Sequence, residues 1–66
     1  MTIVVNGKHH DLPEHATLTD VVAQLTTASR GVAVALNGSV VPRGEWPSTA
    51  LADADQVEIL TAVQGG

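Results

Sequence analysis

Thr17-Leu18-Thr19-Asp20-Val21-Val22-Ala23-Gln24-Leu25 is the stretch on which the reading of the fold turns. Leu18, Val21, Val22 and Leu25 recur at i, i+3, i+4 and i+7, which places them on one face of an amphipathic helix. Thr17, with an acidic side chain three positions on, resembles a capping box; Asp20 stands where Glu or Gln is usual, so the match is partial. Asp20 in the first turn also suits the positive end of the helix dipole. The helix is expected to fade through Thr26-Thr27-Ala28, with Gly31 as a breaker.

Toward the N-terminus, Thr2-Ile3-Val4-Val5-Asn6 is rich in β-branched residues and reads as a strand with Ile3 and Val5 on one face. Asn6-Gly7 follows, a strong hairpin signal because both residues tolerate positive φ. Residues 8–12 read as the returning strand. Their alternation is poor, which suits an edge. Toward the C-terminus, Val32 to Leu36 is apolar throughout, as expected of a strand buried on both faces. Asn37-Gly38 repeats the hairpin signal, and Ser39-Val40-Val41 is a short strand that Pro42 ends. Residues 43–49 read as irregular, with room for one short helical turn. Asp53-Ala54-Asp55 is a turn into the last strand, residues 57–63.

The order is β-β-α-β-β-β. One helix lying across one face of a mixed sheet buries both apolar surfaces at once, so the fold class is α+β, a β-grasp of about four to five strands. The first and last strands pair in parallel at the centre, and the hairpin plus helix supplies the long crossover that parallel pairing needs. Residues 1–63 form the single domain, and 64–66 a flexible C-terminal tail.

Composition narrows the function. With 66 residues and a net charge of −4, the chain has room for one small domain and carries only Lys8, Arg30 and Arg43 as cations besides histidine. A chain this short buries about 60% of its unfolded surface and gains roughly 3–5 kcal/mol of net stability. That leaves little for a catalytic cleft, and no nucleophile–base pair is apparent, so a carrier or binding role is expected rather than an enzyme. The absence of a basic stripe argues against nucleic acid. With no cysteine, no signal peptide and no membrane-length apolar run, a soluble cytoplasmic protein is expected.

Gly65-Gly66 closes the chain straight after the last strand. Lacking Cβ atoms, two glycines make a slim stalk that lies close against another surface. From residue 63 to residue 66 an extended chain reaches about 10 Å, at roughly 3.3–3.6 Å per residue. The expectation is a terminal carboxylate on Gly66 inserted, with Gly65, into a partner's active site.

Several of these stretches together resemble the small sulfur carrier proteins of thiazole (thiamin) biosynthesis, the ThiS family. They are Ile3-Val4-Val5-Asn6-Gly7, the helix, Val34-Ala35-Leu36-Asn37-Gly38, and above all Val41-Pro42-Arg43-Gly44-Glu45-Trp46. The run from Leu51 to Leu60 and the final Val63-Gln64-Gly65-Gly66 complete the match. Two departures are Asp20, often Glu, and Ala54, often glycine; Ala54 would be strained if φ is positive there.

The resemblance implies chemistry. An α-carboxyl group, with a reference pKa of about 3.3–3.7, is ionised and a poor electrophile at neutral pH. In this family a partner, the E1-like ThiS adenylyltransferase, attaches AMP from ATP to the Gly66 carboxylate. Sulfur from a donor such as a cysteine desulfurase then yields a thiocarboxylate, and thiazole synthase receives the sulfur. The chain is a co-substrate with no catalytic residue, no bound cofactor and no metal of its own. Alternatives are another ubiquitin-like carrier, of the molybdopterin synthase small-subunit or tRNA-thiolation type, or a passive binding module with an incidental Gly-Gly end.

Other residues have plainer readings. His9 and His10 are adjacent on a strand and point to opposite faces, which disfavours a metal site with His15. Asp53 and Asp55 read as turn residues. Trp46 is either a lid on the core or an interface anchor, with packing preferred in so small a core. Arg43 either holds its loop or pairs with a partner. If Val57 and Ile59 face the helix, Glu58 and Leu60 face outward, and with Gln64 they form a candidate docking surface near the tail.

Overall fold

The computed structural model describes residues 1–26 and 31–61. Strands β1 (Thr2–Val5) and β2 (Lys8–Asp11) are followed by helix α1 (Leu18–Leu25), then β3 (Val32–Leu36), β4 (Ser39–Val40), a 3₁₀ helix (Arg43–Ser48) and β5 (Gln56–Thr61). The strands form one sheet in the order β2-β1-β5-β3-β4. β1 and β5 pair in parallel, Val5 beside Val57, and the remaining neighbours are antiparallel. The mixed sheet with one helix on one face is the expected β-grasp.

Local chemistry explains most of the elements. Asn6 and Gly7 have φ of 50° and 83°, and Asn37 and Gly38 have 49° and 87°, so both hairpins turn through paired left-handed residues. At the start of α1, the Thr17 N–H donates to the Asp20 carboxylate at 2.9 Å, the acidic half of the capping box. Helix and sheet meet over a core containing Ile3, Leu18, Val21, Val34 and Val57, each at most 2% exposed. Burying a side chain of this size is worth about 1.5–3 kcal/mol.

Four expectations need correction. Leu25 does not enter the core: α1 ends at the rim of the sheet, and Leu25, 40% exposed, lines an open groove beside Val5, Ile59 and Thr61. β3 is not buried on both faces: Ala33 is exposed while Val34 is buried, because the helix covers one side only. Residues 43–48 are regular, a 3₁₀ helix of six residues with Pro47 inside it. Short 3₁₀ segments tolerate proline where no α-helical bond is lost. The last two strand positions shrink, with β2 ending at Asp11 and β4 at Val40. The Leu12 N–H still donates to the Met1 carbonyl at 2.8 Å, and the Val41 N–H to the Val34 carbonyl at 2.9 Å.

Ala54 adopts φ of 71°, the strained conformation that its sequence position raised. Two carboxylates hold the chain there. Asp53 accepts the Thr2 N–H at 2.7 Å, and Asp55 accepts the Ala52 N–H at 2.7 Å. The Ala54 N–H itself donates to the Thr2 carbonyl at 2.8 Å. Asp53 and Asp55 are thus turn residues, as the sequence predicts.

Candidate functional site

β5 lies at the middle of the sheet, and its alternation divides it between two environments. Val57 and Ile59 are buried beneath α1, while Glu58 and Leu60 are exposed on the opposite face. Leu60 is 69% exposed. Cross-strand register extends the outward set: Ala33 sits beside Leu60, Ala35 beside Glu58, and Val40 beside Ala35. Val40 is 76% exposed. Ala33, Ala35, Val40 and Leu60 therefore make an apolar strip around one carboxylate, at the end of β5 that leads into residue 62. Ala33, Ala35 and Val40 were missed from the sequence. The signal was available in β3, since placing Val34 inward turns its two neighbours outward.

The charge on this face is acidic. Glu58 and Asp11 are exposed there, Asp11 beside Thr2 at the far edge. Among the described strand residues the one lysine or arginine, Lys8, pairs with Val5 and belongs to the helix side. An apolar strip with carboxylates suits a partner surface that is apolar with basic groups at its margin.

Two asparagines hold β5 in place. The Asn6 side chain accepts the Ile59 N–H at 2.9 Å and donates to the Ile59 carbonyl at 3.1 Å. The Asn37 side chain accepts the Gln56 N–H at 2.9 Å and donates to Asp55 at 3.1 Å. Both residues are at left-handed turn positions; Asn37 bonds the first residue of β5 and Asn6 the fourth. Gln64, Gly65 and Gly66 lie outside the described residues.

Trp46 belongs to the core. It is 5% exposed, and its Nε1–H donates to the Val41 carbonyl at 2.9 Å. The Arg43 guanidinium stands 5.5 Å from the centre of its ring, a cation–π contact that fixes the loop. His9 is exposed beside Val4 on the open face, His10 is half-buried beside Ile3 on the other, and His15 is exposed in a loop. Among the described residues no three His, Asp or Glu side chains gather as a metal site would need. No described helix is long and apolar enough to cross a membrane.

Comparison with known proteins follows the same lines. The sequence profile of the ThiS family matches residues 2–66. The sulfur carrier protein ThiS of Escherichia coli is 29% identical over 66 residues, all of both chains. A thiazole synthase of Paramagnetospirillum magneticum is 32% identical over the whole of this chain, which spans only 20% of that protein's length. The crystal structure of the thiamine biosynthesis protein ThiS from Geobacter metallireducens superposes with a TM-score of 0.81 at 35% identity, covering all of both chains.

Proposed function

This chain belongs to the ThiS family, and on that footing we propose that it is the sulfur carrier of thiazole formation in thiamine biosynthesis. Its working group is the carboxylate of Gly66. The observation that carries the reading is the family match through residue 66, over a chain equal in extent to a bacterial sulfur carrier.

The chemistry follows from the carboxylate's weakness as an electrophile. A partner adenylyltransferase joins the Gly66 carboxylate to the α-phosphorus of ATP and releases pyrophosphate. The acyl-adenylate then has a good leaving group. A sulfur nucleophile, supplied through a donor such as a cysteine desulfurase, attacks the acyl carbon and expels AMP, leaving a thiocarboxylate. Thiazole synthase takes the sulfur from it. The resemblance of this chain to a fifth of a thiazole synthase supports that partnership, because it puts a carrier-like segment and the synthase in one polypeptide. The carrier itself supplies no general acid or base.

Gly65 and Gly66 give the tail a narrow cross-section for an enclosed site. Leu60 and Glu58, with Gln64, form the docking surface beside it, widened by Ala33, Ala35 and Val40. The decisive experiment is intact mass after incubation with ATP, a sulfur source and the cognate adenylyltransferase. The expected result is a gain equal to the mass difference between sulfur and oxygen, located at Gly66. An unchanged mass under conditions that convert an authentic carrier would refute the reading.

A further inference from the structure

We propose that Asn6 is a positioning residue for tail delivery: its side-chain amide fixes the course of β5 at Ile59, and with it the placement of Leu60 and Thr61, to which the tail is joined. The role rests on the sulfur-carrier reading above, and the geometry behind it comes from the β1–β5 ladder.

In that ladder the Val4 N–H donates to the Asp55 carbonyl and the Asn6 N–H to the Val57 carbonyl, each at 2.9 Å. Parallel pairing repeats every two residues. The next rung would join the carbonyl of residue 6 to the Ile59 N–H, and the N–H of residue 8 to the Ile59 carbonyl. Residue 8 is unavailable, because the chain turns at Asn6 and Lys8 pairs back onto Val5. The Asn6 side chain supplies both missing groups. Its Oδ1 accepts from the Ile59 N–H at 2.9 Å, and its Nδ2 donates to the Ile59 carbonyl at 3.1 Å. One amide group takes the place of a strand that has already left.

The consequence falls on Leu60 and Thr61. On one side they are held by β3, Leu60 beside Ala33 and Thr61 beside Val32. On the other, the Asn6 amide holds the residue just before them. Two hydrogen bonds to one residue fix its backbone from both sides of the peptide unit, and that restrains Leu60 and Thr61 next to it. Asn37 is the natural control. It has the same Asn-Gly context and nearly the same φ, yet its side chain bonds the opposite end of β5, at Asp55 and Gln56.

Asn6→Gly separates the two roles of the residue, since glycine accepts the left-handed turn and lacks the amide. Asn37→Gly does the same at the other turn, and Asn6→Asp keeps an acceptor but sets a carboxylate oxygen against the Ile59 carbonyl. Two measurements are needed: amide hydrogen exchange along β5, and steady-state adenylation with the carrier as varied substrate. Asn6→Gly is expected to speed exchange at Ile59 while the core strands stay protected. Its kcat should fall about tenfold, because misplacing a reacting group by a small distance is expensive. KM should stay within about twofold, since the docking surface is untouched. Asn6→Asp should behave likewise, and Asn37→Gly should leave both constants at the wild-type values.

An Asn6→Gly carrier with wild-type kcat, or an Asn37→Gly carrier that loses as much, would overturn the role while leaving the carrier reading intact. A wild-type chain that is never adenylated would sink the carrier reading and this role together.

Discussion

Ile59 and Leu60 are neighbours in β5 and nearly alike in size and polarity, yet Ile59 is 8% exposed and Leu60 is 69% exposed. The difference is the difference between the two faces of the sheet. On one, α1 seals Ile3, Val5, Val34, Val57 and Ile59 into the core. On the other, no described helix lies over Ala33, Ala35, Val40 and Leu60. Folding accounts for the apolar residues of the covered face, because burial stabilises them. It does not account for Leu60 and Val40 exposed together with Ala33 and Ala35 between them, and a contiguous apolar patch of this kind calls for another explanation. One strand thus serves stability through Val57 and Ile59, while Glu58 and Leu60 carry the docking role proposed above.

The largest test of this division removes the tail and leaves both faces alone. Deletion of Gly66 is expected to abolish adenylation and thiocarboxylate formation with the thermal midpoint unchanged, read by intact mass and calorimetry. A deletion that lowered the midpoint would mean the tail belongs to the fold. Next is the covered face. Ile59→Ala should cost about 2–5 kcal/mol in chemical denaturation, which is comparable to the roughly 3–5 kcal/mol total for a chain of this size, so the variant should lose most of its stability. On the open face, Leu60→Asp should leave the denaturation curve within about 0.5 kcal/mol of wild type. It should weaken binding to the adenylyltransferase or thiazole synthase about tenfold, as a docking residue would. Equal affinities would remove Leu60 from the docking surface. The smallest effect concerns neither face. Ala54→Gly should stabilise the protein by about 0.5–1 kcal/mol, because a left-handed alanine is strained by roughly 1–2 kcal/mol and glycine returns only part of that in unfolded-chain entropy. Loss of stability there would show that the turn is not strained.

What the sequence discloses depends on how local the cause is. Both Asn-Gly turns, the Thr17–Asp20 cap and the inward set Leu18, Val21 and Val22 are decided within a few residues, and all are as the sequence predicts. The split of β5 into inward Val57 and Ile59 and outward Glu58 and Leu60 follows from a period of two, so part of the exposed sheet face was legible as well. The 3₁₀ helix was not. Residues 43–49 read as irregular with room for one short helical turn, whereas six residues are regular, ordered by Trp46 entering the core and bonding the Val41 carbonyl. The Asn6 clamp was invisible for a stronger reason: its two partners lie on a residue 53 positions away, and only the parallel register brings them together. His15, at φ of 71°, is a third such case, a left-handed loop residue with no glycine to announce it.

Trp46 is the only tryptophan in a chain that has no tyrosine and no phenylalanine. Its indole is therefore the sole source of intrinsic fluorescence, and it sits in the interior with Arg43 stacked above it. Emission from this protein is a single-site optical signal for the integrity of the domain. Each variant above can be checked for native folding by its spectrum before any chemistry at Gly66 is assayed.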